Sequence, residues 1–133
     1  MSMPKERDLK MEKFTISGNR YRELKYFCRQ YREKQERLRE LAEVSAAKMQ
    51  EGGKSGRVSD LTADTAARGA ELRKDLEMIE QAAVETDTEL YGYIISNVTD
   101  GIPYEHLGVP MGRRQFYKMR RKFFFILSEK KGH

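Results

Sequence analysis

The sequence is 133 residues long, 38% hydrophobic and 35% charged, with a formal net charge of +5 at pH 7. That length excludes a large enzyme fold and leaves room for one or two small modules. A charged fraction well above the ~25% of an average soluble domain suits long helices with solvated faces and narrow apolar stripes, so an all-α fold is expected. The single cysteine, Cys28, excludes an intramolecular disulfide and a cysteine-rich zinc site. No signal-like segment and no run of ~18 apolar residues is found, so a cytoplasmic protein without membrane contact is expected.

Residues 1–16 mix charges without a period and read as a flexible N-terminal arm. From Ser17 one long helix is predicted, with Ser17 or Asn19 as its N-cap. Tyr21, Leu24, Cys28, Tyr31, Gln35, Leu38 and Ala42 follow the alternating three and four spacing of a packed helix pair, widened by Phe27, Leu41 and Val44. Glycines and serines in Glu51 to Asp60 break that helix and form an exposed loop. Its Gly53-Lys54-Ser55 triplet ends like a phosphate-binding loop, but Lys48 stands where that motif needs a glycine, and no strand precedes it.

A second helix is predicted from about Asp60 to Ala83, with Thr65, Gly69, Leu72, Leu76, Ile79 and Ala83 on its seam. Two such helices joined by a glycine-rich loop fold back on each other, so 17–84 is read as an antiparallel helical hairpin with its Gly-rich loop at 51–60. A hairpin alone buries little surface, which calls for a further helical interface with the C-terminal region or a second copy.

Thr86 and Glu89 have the spacing of a capping box, which places a helix start there. Leu90, Ile94 and Val98 form its apolar row, and Gly101 is suited to end it in the left-handed conformation. Pro103 is expected to open a short helix, and Gly112 the last one. The order of helix, turn, short helix, turn and basic helix is that of a helix-turn-helix DNA-binding domain, assigned to 86–131.

Charge singles out the last helix, about Gly112 to Leu127, as the recognition helix. Arg113 to Lys131 holds eight Lys or Arg residues and one acid, a net +7, so the rest of the chain sums to −2. At ~100° per residue, Phe116, Met119, Phe123 and Leu127 share one face while Arg114, Lys118 and Arg121 lie opposite, flanked by Tyr117. Arginine bonds the N7 and O6 edge of guanine and glutamine the edge of adenine, so Arg113, Arg114 and Gln115 are the expected base readers. Lys118, Arg120, Arg121 and Lys122 are the expected phosphate contacts. The alternative for the same stretch is a basic amphipathic helix binding a membrane surface, RNA or a protein. Phe124 and Phe125, off the docking face, are expected to pack on the hairpin or across a dimer.

The run LYGYIISNVTDGIPYEHLGVPMGRRQFYKMRRKFFFIL, 90–127, resembles the region-four helix-turn-helix of sigma factors, and more closely the small phage and prophage regulators of the RinA and ArpU type. The resemblance is specific in VTDGIPYEHL and GRRQFYKMRR; over 17–84 it extends to architecture only. It implies a turn at Asp100 and Gly101, a scaffold helix over Tyr104 to Leu107, a buried anchor at Phe116 and reading positions from Arg113 to Lys118. Between Gly101 and Phe116 the chain is about two residues shorter than the usual sigma pattern. The implied role is regulation of phage genes by binding double-stranded promoter DNA in a bacterial host cell, at the nucleoid. RNA polymerase and a homodimer are the candidate protein partners. A DNA-recognition small subunit of a phage packaging machine and a helical adaptor for RNA polymerase or another protein are the competing readings.

Cys28 on the seam reads as a buried apolar group. His106 lacks companion ligands, and no nucleophile, base and oxyanion set is present, so neither metal nor cofactor nor enzyme activity is expected.

Overall fold

The computed structural model describes residues 14–50 and 56–132. Among them are six helices and no strand: α1 (Gly18–Arg29), α2 (Tyr31–Gln50), α3 (Gly56–Thr86), α4 (Tyr91–Asp100), α5 (Tyr104–Leu107) and α6 (Arg113–Lys131). The all-α expectation holds. The chain divides into two compact units, Met1–Arg29 with Met78–His133, and Gln30–Glu77.

In the first unit, α1 packs against α4 and α6, and α5 against α4. Ser17 is the N-cap of α1, its Oγ accepting from the Arg20 amide at 3.1 Å. Leu24, Cys28, Ile79, Ile94, Phe116, Phe123 and Leu127 are completely buried. Each large apolar side chain removed from water in this way stabilises the fold by ~1.5–3 kcal/mol. Cys28 is part of that core, as its seam position indicated.

Three boundaries differ from those expected. The helix from Ser17 is interrupted at Gln30, a turn between α1 and α2. Apolar spacing could not mark the break, because Leu24, Phe27, Cys28 and Tyr31 are all buried and the pattern runs through it. α3 begins at Gly56, four residues before Asp60, while the rest of the loop, with Gly53, Lys54 and Ser55, lies outside the described residues.

The third concerns the capping box. Thr86 is the last residue of α3, and its buried hydroxyl donates back to the Ala82 carbonyl at 2.7 Å. Asp87 instead ties down the turn ahead of α4: its Oδ1 accepts from the amides of Glu89 and Leu90, both at 2.9 Å, while Leu90, the N-cap of α4, makes no side-chain capping bond. These two donors, the nearby charge of Lys122 aiding them, hold the Asp87 carboxyl below its usual pKa.

In the second unit, Lys34 Nζ reaches Asp75 at 2.8 Å, and a Cβ added at Gly69 would lie 3.7 Å from Leu38 Cδ1. The partners run in opposite order along α2 and α3. Gly69 and Leu76 are buried, Leu38, Leu41 and Leu72 half-buried, and Val44 is exposed. This unit therefore has a thin apolar seam, as its composition indicated.

Of the expected arm 1–16, residues 1–13 lie outside the described residues. Phe14 packs edge-on to Phe125, with ring centroids 5.5 Å apart, so the end of that stretch is anchored.

Candidate nucleic-acid interface

The segment before α6 is a pair of tight turns fixed by named contacts. Gly101 ends α4 with φ 72°, its amide donating to Asn97 O at 3.0 Å; such a backbone favours glycine. Asn97 Nδ2 then donates to Ile102 O at 2.9 Å, closing the turn. Pro103 is the N-cap of α5, one position before the place expected of it. Tyr104 lays its ring 5.6 Å from that of Phe116 and donates its hydroxyl to Met111 O at 2.6 Å. The chain thus enters α6 at Gly112 along a defined path, with Phe116 buried beneath it.

The docking face of α6 is the one that the helical wheel picked: Phe116, Phe123 and Leu127 are 0% exposed and Met119 half-buried. Phe124 is also buried, its ring 5.1 Å from Tyr21 of α1. Arg20 binds the far end of α6, donating Nε to Ser128 Oγ at 2.9 Å and Nη2 to the carbonyls of Ser128 and Gly132. The second half of α6 is therefore held by Phe14, by α1, which lies within the 17–84 segment expected to receive it, and by Glu85 of α3, which pairs with Lys130.

The eight cations of α6 separate into two sets. Arg113 is ion-paired with Glu105 and lies over the rings of Tyr104 and Tyr117, 5.3 and 5.9 Å from their centroids. Arg120 donates Nε to Asn97 Oδ1 at 2.7 Å and Nη1 to Tyr21 Oη at 3.0 Å, and stacks 4.9 Å from the Phe124 centroid. Lys122 reaches Thr86 O at 3.4 Å, at the C-terminal end of α3, where the helix dipole favours a cation. Lys130 pairs with Glu85, and Lys131 lies 4.8 Å over the Phe27 ring.

The second set is Arg114, Lys118 and Arg121. All three are exposed and, among the described residues, none has a hydrogen bond or ion pair. Steps of four and three residues bring them within ~60° of one another. Gln115 and Tyr117 are exposed on either side, Tyr117 at 39%. The structure thus brings together Arg114, Gln115, Tyr117, Lys118 and Arg121. It turns Arg113, Arg120 and Lys122 toward protein partners.

Sequence reasoning missed Glu105, Tyr104, Asn97 and Tyr21, the groups that occupy those other cations. The wheel carries a partial signal for Arg120: four residues after Phe116 and three before Phe123, it borders the docking face. Nothing in the local sequence signals that Glu105 meets Arg113.

Among the described residues, no group of three or more His, Cys, Asp or Glu is placed to hold a metal, and no helix is long and apolar enough to cross a membrane. No family model matches the sequence, and neither curated proteins nor solved structures match it.

Proposed function

We propose that the chain is a sequence-specific double-stranded DNA-binding regulator of transcription, acting without a cofactor or catalysed reaction, in which 86–131 is a helix-turn-helix domain and α6 enters the major groove. The observation that carries this reading is the sorting of the α6 cations: five are engaged with protein groups, while Arg114, Lys118 and Arg121 project together from a helix anchored by Phe116 and Phe123. An exposed cationic ridge on a firmly docked helix is what groove insertion requires. Arg114 and Gln115 near the helix start are the base readers, and Lys118 and Arg121 contact phosphates. Arg113, Arg120 and Lys122 position the helix.

The phage or prophage assignment, with a bacterial cytoplasmic and nucleoid location, rests on the resemblance of 90–127 to regulators of the RinA and ArpU type. In the same reading α2 and α3 form a hairpin that presents an interface to RNA polymerase or a second copy.

Binding to a duplex selected from phage and host fragments, measured across a salt series, tests the proposal. Lys118→Ala should weaken binding to all sequences and lower the slope of log affinity against log salt by ~0.9, the contribution of one phosphate. Arg114→Ala should lose ~1–3 kcal/mol at the selected site and relax its sequence preference. Absence of duplex binding by the wild type at low salt would overturn the reading.

A further inference from the structure

The exposed face of α1 is a second cationic surface. Arg22, Tyr26 and Arg29 follow one another at steps of four and three, so they form a single row on the side of the helix opposite buried Leu24, Phe27 and Cys28. Tyr26 is 65% exposed, well above Tyr117 of the reading helix. An amphipathic ring left this far in solvent between two arginines is unusual for a helix whose other aromatic residues are packed. Lys25 flanks the row.

The charge of this row is not offset within α1. Glu23 is the only acid in the helix, and it is paired with Arg20 at 3.0 Å, whose guanidinium is otherwise bound to the end of α6. Among the described residues, Arg22 bonds a neutral group, donating Nη1 to Asn19 Oδ1 at 2.9 Å. The row also ends at a particular place. The Arg29 guanidinium is packed against Gly101, where an added Cβ would lie 2.5 Å from Nη1. Gly101 begins the turn that leads into α5, the short helix ahead of the proposed recognition helix. In helix-turn-helix domains the helix ahead of the recognition helix crosses the DNA backbone.

We propose that Arg29 and Arg22, with Tyr26 between them, form a second DNA contact that grips the phosphate backbone beside the major groove occupied by α6. This inference rests on the DNA-binding reading above and extends it to a helix about ninety residues earlier in the chain. Phosphate is the ligand chemistry that fits a row of arginines with no offsetting acid in its helix, and tyrosine adds a hydroxyl suited to the same backbone. The contact carries no sequence information: α1 supplies affinity and fixes the angle of entry, and α6 reads.

The test is a salt series on the full chain carrying Arg22→Ala and Arg29→Ala together, with the selected duplex and a scrambled one. The slope of log affinity against log salt should fall by ~1.8, two phosphates' worth, with the ratio between the duplexes unchanged. Arg22→Lys with Arg29→Lys should restore the slope, which a loss of packing or folding would not explain. Should the alanine pair destabilise the helices by circular dichroism, the Gln pair at the same positions gives the same comparison. An unchanged slope in a variant that still binds overturns this inference and leaves the DNA-binding reading intact, as would a changed duplex ratio, which would make the row a base reader. A wild-type protein that binds neither duplex overturns both.

Discussion

The two halves of α6 are opposite in use, and they differ in charge: the first holds six cations and the second two. Arg113 to Lys122 and Phe123 to Lys131 each mix cations with aromatic or long apolar side chains. In the first half, Arg114, Lys118 and Arg121, which have no hydrogen bond or ion pair among the described residues, face solvent with Tyr117 above a single buried anchor, Phe116. In the second, Phe123, Phe124, Leu127 and Ser128 are buried, and Lys130 and Lys131 meet Glu85 and Phe27. The difference comes from neighbours. Phe14 and α1 pack on the second half, and among the described residues Arg114, Lys118 and Arg121 of the first half have no hydrogen-bonding or ionic partner. A basic aromatic segment is therefore not uniformly a binding surface, and which of its cations are committed to protein partners decides where a ligand has access.

The comparison breaks most severely if the anchor of the first half is removed. Phe116→Ala takes away a completely buried ring that also meets Tyr104 and Tyr117, and should cost ~3–5 kcal/mol. Urea denaturation followed by circular dichroism measures it. A loss under ~1 kcal/mol would mean that α6 is not docked through this ring.

A smaller and sharper contrast lies between adjacent arginines. Arg120 is held by Asn97, Tyr21 and the Phe124 ring, whereas Arg121 is exposed without a partner among the described residues. Arg120→Ala should destabilise by ~1–3 kcal/mol, because hydrogen-bonding groups around it lose a charged partner, and should leave the salt slope of DNA binding as it was. Arg121→Ala should do the reverse, sparing stability and lowering that slope by ~0.9. Equal effects from the two would show that burial does not divide these cations by role.

Much of this arrangement was legible in the sequence because it depends on short-range rules. Periodicity found the docking face through Phe116, Phe123 and Leu127, and glycine chemistry found the end of α4 at Gly101. What was not legible depends on distant partners. Arg113 and Arg114 are neighbours of identical chemistry, and only the approach of Glu105 separates them. Likewise, α1 joins the C-terminal helices through Arg20, Tyr21 and Phe27. In the sequence these residues look like part of a helix continuing to Gln50. The break at Gln30 has no glycine or proline to announce it.

Thr86 and Asp87 give the smallest of these contrasts, between a residue with the expected motif and the neighbour whose carboxylate binds the turn ahead of α4. The Asp87 carboxylate accepts two amides ahead of α4, and these, with Lys122 nearby, lower its pKa. A carboxyl with a lowered pKa in the folded state contributes stability that is present above its unfolded value and is lost as pH falls through the folded one. Asp87→Asn keeps an oxygen acceptor but removes the titration, so the melting temperature of the variant should fall less steeply on acidification than that of the wild type. Lys122→Gln should move the same acid transition upward by withdrawing a nearby positive charge. Parallel acid profiles for wild type and Asp87→Asn would mean that other carboxyls dominate and that Asp87 holds the turn ahead of α4 by geometry alone. The expected difference is small because the carboxylate stays in contact with water, which screens it.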